Sequence, residues 1–257
     1  MGRINKDSFT YGLDSRHNIM FAHIFDLATS CEKYYSATYG DFLSENSISE
    51  LLRREQFLPL SPVLFGGFED AERKMVAFIP EDISPEFPIS AVKFSSPRIK
   101  SLSHRDFLGS ILALGIKREK CGDIIIKEDE AYAFLSDDIA SYVANNITKI
   151  GREGVKTALV EPSRIDLPEK KFREIKGTVS SLRLDSIISL FAGKGRSKAT
   201  ELISGGLVFV GGIEATKNDM RLSDGDIISV RGKGKATLSI GGTSKKDRIF
   251  VTLNVWS

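Results

Sequence analysis

The residues best suited to chemistry in this 257-residue chain gather in one stretch. Arg183 opens a short amphipathic segment, and Lys194, Arg196 and Lys198 crowd the start of a second one. A helix N-terminus presents unpaired backbone N–H groups and the positive end of its dipole, so cations placed there strengthen a field that already attracts anions. Phosphate capture is the chemistry this arrangement offers. Farther on, Arg231, Lys233 and Lys235 alternate with glycine in a flexible basic loop. Neither this run nor Gly193-Lys-Gly-Arg196 has the spacing of a nucleotide-binding P-loop or a dinucleotide fingerprint, so both read as basic turns. The alternative is that these charges only solvate a helical face.

A second basic run joins Lys93, Arg98, Lys100, Arg105, Lys117, Arg118 and Lys120 against only Asp106 and Glu119, and forms another candidate phosphate surface. Acid–base or nucleophilic catalysis has fewer candidates. His17, His23 and His104 are the only histidines, and the first two lack the i, i+4 spacing of a helical metal pair. Cys31 and Cys121 lie far apart and outside any C-x-x-C context. Asp185 could imitate the catalytic aspartate of a pseudouridine synthase, but it stands at the opening of a helix, where capping or local pairing is the simpler role. The residues therefore predict no catalytic group, no metal and no cofactor.

Several elements must position these groups. Leu184, Ile187, Ile188 and Phe191 fall at i, i+3, i+4 and i+7, and Ala199, Leu202 and Ile203 resume that spacing after a glycine break, which predicts two short helices. Gly205–Gly206 stops the second, and Leu207–Val210 with the turn Gly211–Gly212 predicts a hairpin. Asp224–Gly225 turns the chain into a strand over Ile227–Val230. Ile249, Val251, Leu253 and Val255 alternate as in a half-buried strand. Trp256 then packs on a domain seam or serves as a contact aromatic. Upstream, helices are predicted over 14–35 and 41–55, with Pro59 and Pro62 ending that section. Strands at Val63–Gly66 and Met75–Ile79 predict a hairpin. The order from Ile89 to Val160 is β, α, β, β, α, β, with a Ser103-capped helix, a second helix from Asp137 to Ile147 and a turn at Lys127–Glu130. That order fits a split βαβ domain with helices on one face of an antiparallel sheet.

Composition sets the frame. With 41% hydrophobic and 27% charged residues, the chain is an ordinary globular protein with room for two or three cores. Its net charge of +2 hides an asymmetry, because residues 151–257 hold 19 Lys/Arg against 12 Asp/Glu and residues 1–150 hold 17 against 22. The basic end suits a polyanion. Neither an apolar leader nor a membrane-length apolar run is present in the sequence, and the two isolated cysteines fit a reduced compartment, so a soluble cytoplasmic protein is expected.

Arg183-Leu-Asp185, Arg196-Ser-Lys198-Ala, Gly-Leu-Val-Phe-Val-Gly-Gly212 and Asp224-Gly-Asp226 resemble, in that order, the S-four RNA-binding domain. Two positions depart from its common pattern: Gly195 precedes Arg196 where serine is usual, and Gly211-Gly212 replaces Asn-Gly. Ser103-His-Arg-Asp-Phe-Leu-Gly109, Leu114-Gly-Ile-Lys-Arg-Glu-Lys120 and Gly122-Asp123-Ile124 resemble the central domain of the YlmH family of bacterial S-four-domain proteins. The resemblance implies an α+β protein: an N-terminal helical segment over 1–62, a central split-βαβ domain of the ferredoxin/RRM kind over 63–165, a linker or strand over 166–181 and an S-four-type domain over 182–257. It further implies a non-enzymatic RNA-binding protein, monomeric, that associates with large-subunit rRNA and tRNA in ribosome-associated quality control, where alanines extend the stalled nascent chain, with a nascent-chain factor as a possible partner. A cell-division label is common in the family. Arg183, Arg196 and Lys198 match its basic helix positions, and Arg105, Lys117 and Arg118 lie in its central motif. The competing reading is an rRNA-modifying enzyme such as a pseudouridine synthase.

Overall fold

A computed structural model describes residues 5–167, 173–244 and 247–256, excluding the side chain of Trp256, so the expectations for that side chain and for part of the 166–181 linker lie outside the described residues. The chain divides into two compact units, 1–166 and 167–257.

In the first unit a short helix α1 (Lys6–Thr10) precedes the long helix α2 (Ser15–Tyr34). Asp14 caps α2 by accepting from the backbone N–H groups of Arg16 and His17, and Tyr35 ends it in the left-handed conformation. The helix expected over 41–55 is half correct. Thr38–Leu43 is a strand, β1, and the helix α3 (Glu45–Arg54) begins only after the Ser44 cap. The apolar helical spacing starts at Ile48, whereas Tyr39 and Phe42 have the aromatic character of a strand, and β1 finds a partner that local sequence does not announce. The predicted hairpin forms from β2 (Val63–Phe65) and β3 (Lys74–Phe78), and β1 joins it to give the antiparallel order β1-β3-β2. That sheet runs across position 62, because the pairing of Thr38 with Phe78 holds the hairpin to the N-terminal helices. Phe9, Phe21, Ile24, Leu51, Val76 and Phe78 form its core.

The split βαβ order follows: β4 (Ile89–Ser95), α4 (His104–Leu112), β5 (Cys121–Ile126), β6 (Glu130–Ser136) and α5 (Asp137–Asn146), then a small ribbon of β7 (Lys149–Ile150) and β8 (Glu153–Gly154), and finally β9 (Lys156–Val160). The sheet order β5-β6-β4-β9 is antiparallel throughout, as the sequence order required. Ser103 and Asp106 close a capping box at the start of α4. Phe94, Phe107, Ile111, Ala133 and Val143 fill the space between the helices and the sheet.

In the second unit β10 (Arg173–Val179) leads to α6 (Leu184–Ala192) and α7 (Arg196–Ser204). Thus the expected linker ends in a strand of the C-terminal sheet. The tight link between the helices depends on Gly193, whose φ of 60° is a left-handed value that residues with a Cβ adopt at a cost. Strands β11 (Val208–Val210), β12 (Ile213–Glu214), β13 (Ile227–Val230), β14 (Gly234–Thr243) and β15 (Ile249–Trp256) complete an antiparallel sheet of order β10-β15-β14-β13-β11-β12. Lys235 is a correction to the expected basic loop: it lies in β14, paired with Ser229, because the turn closes at Gly234. Leu184, Ile187, Ile188 and Phe191 are buried against Ala199, Ile203, Leu238 and Leu253, so the helical spacing identified the inner face.

Candidate nucleic-acid interface

Two helix starts in the second unit look alike in sequence and differ in structure. At the start of α6, the N–H groups of Leu184 and Asp185 donate to the carbonyls of Met220 and Asn218 at 2.8 and 3.0 Å. That helix end is already satisfied. Arg183 donates to both carboxylate oxygens of Asp185, at 3.2 and 3.1 Å, and Ser186 donates to one of them. The Arg183 hydrogen bonds hold the Asp185 carboxyl below its ordinary value, and the same contact raises Arg183. Asp185 is therefore paired and largely buried, an anchor for the Arg183 guanidinium whose outer edge remains exposed.

At α7 the sequence places Gly195 at the N-cap, and no side chain caps the helix. Residues 193–198 are all exposed. Arg196 leans back over the start of α6 and donates to the hydroxyls of Ser180 and Ser186, at 3.2 and 3.1 Å. These neutral partners position the guanidinium without cancelling its charge. Lys198 extends on the outer side beside Glu201 and is ion-paired with it. Ser189 donates to the Lys194 carbonyl and fixes the turn that carries that lysine. A cleft of about 430 Å³ opens here, lined by Lys194, Arg196, Ser180, Ser186 and Arg248. Arg248 is the residue that sequence reasoning missed; it reaches the cleft from the start of β15 by donating to the Thr178 hydroxyl and carbonyl. Its signal was a charged turn before an alternating strand, but nothing in local spacing tells that β15 runs beside β10.

The glycine-rich turn presents Arg231 and Lys233 at the tip of the β13–β14 hairpin. Arg231 lies over the Phe209 ring at 5.2 Å from its centroid, a cation–π contact that orients it. Lys233 instead lines a separate groove with Arg173 and Lys176. The structure thus divides the C-terminal cations between the α7 cleft and the hairpin side.

The central run is arranged differently. Lys93 pairs with Glu130, Lys100 with Glu128 at 2.6 Å, and Lys120 bridges Asp41 and Asp138 at 3.2 and 3.0 Å. Arg118 turns inward and donates to the carbonyls of Cys121 and Gly122 at 2.6 and 3.4 Å. Arg105 and Lys117 remain exposed. His104 is held below its ordinary pKa, first by burial and then by the Arg118 charge. Cys31 and Cys121 are buried free thiols, both pushed up by desolvation. Among the described residues no group of three or more His, Cys, Asp or Glu side chains could hold a metal.

Fold and surface together define a protein that carries RNA-binding domains. Residues 83–163 match the family described as "putative RNA-binding domain in YlmH", and residues 182–228 match the S4 domain, the S-four module. The chain belongs to the YlmH family: it is 34% identical over 193 residues to ribosome-associated protein quality control protein P2 of Bacillus subtilis, an alignment covering 73% of this chain and 75% of that one. Among solved structures it is similar to cell division protein ylmH from Streptococcus pneumoniae, with a TM-score of 0.48 and 22% identity over 60% of this chain and 97% of that chain. No described helix is long and apolar enough to cross a membrane.

Proposed function

We propose that the chain is a non-enzymatic RNA adaptor that acts on the large ribosomal subunit, where the α7 face grips the phosphates of structured rRNA and tRNA during quality control of stalled nascent chains. The observation that carries this reading is the uncapped start of α7, where exposed amides, Lys194 and an Arg196 guanidinium held by hydroxyls converge on one cleft, with Lys198 on the same helix start but paired with Glu201. Arg183, Arg231, Lys233 and Lys235 extend that contact, and Arg105 and Lys117 supply a weaker one from the central domain. Arg118 serves chiefly to hold the start of β5. The likeness to a ribosome-associated quality control protein of Bacillus supports the ribosomal setting, and the process proposed for the adaptor is the extension of the stalled nascent chain by alanines with a partner factor. A cytoplasmic monomer fits this role. The enzyme reading is disfavoured by Asp185, which is paired with Arg183 and turned into the module.

Cosedimentation of the full chain with large ribosomal subunits, with and without tRNA and across a salt series, tests this. Binding that tRNA strengthens and that Arg183→Ala with Arg196→Ala abolishes is the expected result. Absence of binding to either particle would overturn the adaptor, and a modified nucleotide that disappears with Asp185→Asn would establish the enzyme instead.

A further inference from the structure

A pocket of about 590 Å³ lies within the first unit, between α2, β1, β3 and the turn that leads into β5. Its volume is within the range of small-molecule sites, which run from roughly 300 to 1,000 Å³. Its lining includes the apolar Ile19, Met20 and Val76 and the cations Arg73, Lys117 and Arg118. The two arginines are unusual neighbours. Arg73 donates to the carbonyls of Cys121 and Phe42, at 2.8 and 2.9 Å, while Arg118 donates to the carbonyls of Cys121 and Gly122. Neither forms an ion pair among the described residues. Of the acids nearby, Asp123 accepts from the backbone N–H groups of Glu72 and Arg73, Glu119 pairs with Arg16, and Asp41 pairs with Lys120; the Asp123 and Glu119 charges favour the Arg73 cation without forming an ion pair with it. Burial, and after it the Arg118 charge, lowers the Arg73 pKa to about 10. Two like charges are thus packed side by side at a half-enclosed site, a state that an anion would relieve.

We infer that this pocket binds a nucleotide, with the phosphate on Arg73 and Arg118 and one face of the base on Ile19 and Met20. A bare phosphate would leave the apolar lining wet, and an uncharged apolar ligand would cover guanidinium N–H groups without pairing them. A nucleotide satisfies both kinds of lining, whether it is free or an unpaired unit of an RNA strand. The inference is independent of the gripping role given to α7, because it uses no residue of the second unit.

The test is calorimetric titration of the full chain with adenosine monophosphate, adenosine, inorganic phosphate and an unpaired RNA hexamer. Adenosine monophosphate should bind, with adenosine and phosphate each about tenfold weaker, the factor expected for loss of one charge-assisted contact or of the buried base. Arg118→Lys should weaken the nucleotide about tenfold. Since Arg118 also supports backbone carbonyls, Ile19→Glu is the second variant; Ile19 is 74% exposed, so the fold tolerates the change while the charge repels phosphate and spoils the apolar lining. Competition between the hexamer and the mononucleotide would assign the pocket to an RNA unit, and binding of the mononucleotide alone would assign it to a free nucleotide. No binding of either, phosphate as tight as the mononucleotide, or undiminished binding in both variants would overturn the inference.

Discussion

The central domain and the C-terminal module both carry dense runs of lysine and arginine, yet the arginines that line the α7 cleft and most of the central run meet different partners. In the central domain Lys93, Lys100 and Lys120 meet carboxylates, and Arg118 meets backbone carbonyls. In the C-terminal module Arg196 is held by two serine hydroxyls, and Arg248 by a threonine hydroxyl and carbonyl, all neutral partners. A cation paired with a carboxylate has its field largely cancelled, whereas one positioned by a hydroxyl keeps its charge and loses only its wandering. Charge counted along a sequence is therefore a poor guide to charge available to a polyanion, and the partners decide.

The largest effect should come from removing the available charge. Lys194→Ala, Arg196→Ala and Arg248→Ala together should lower affinity for structured RNA by about a hundredfold or more at low salt and flatten its salt dependence by up to about one unit per lost phosphate contact, as read from binding isotherms across a salt series. An unaltered slope would break the comparison. Next in size is Arg118→Ala, which removes a donor from the Gly122 carbonyl and leaves the Cys121 carbonyl with Arg73 alone, and should cost about 1–3 kcal/mol in denaturant unfolding while the salt slope for structured RNA stays put. Exposed Lys117→Ala should do the reverse, with stability held and RNA affinity slightly reduced.

Acid sharpens the contrast within the C-terminal module. Asp185 has its folded pKa depressed, chiefly by the hydrogen bonds from Arg183, so its contribution to stability is complete above the unfolded carboxylate value near 4 and is lost as pH falls through the lower folded value. Thermal melts of the wild type between about pH 5 and pH 3 should therefore show a decline that Asp185→Asn reduces. The smallest effect is expected for Lys100→Ala: its pair with Glu128 is exposed at both ends, so stability should change by less than about 1 kcal/mol and RNA affinity should not change.

How much of this was legible in the sequence differs by element. The helix over 14–35 was, because Asp14 caps it and its apolar face repeats at helical spacing. So were the βαββαβ order and the inner face of α6, where period alone selects Leu184, Ile187, Ile188 and Phe191. Strand β1 was not, since Thr38–Leu43 becomes a strand through pairing with β3, a partner far along the chain. The candidate site was legible as a set of cations but not as a division between neutralised and available ones. Nothing in the local spacing of Lys120 announces Asp41 and Asp138, and nothing near Arg248 announces Thr178.

The pairing of β10 with β15 also has a kinetic side. Val179 meets Ile249 and Arg173 meets Val255, so the strand that opens the C-terminal unit is matched with the one that closes its sheet. Those contacts have high sequence separation, and closing so long a loop must precede their reward. During synthesis β10, α6 and α7 emerge well before the strand that completes the sheet, and the Thr178–Arg248 link that brings the last cation to the α7 cleft forms only then. The module thus gains its full phosphate-facing set of charges late in its own folding, which keeps an incompletely made chain from presenting a finished grip.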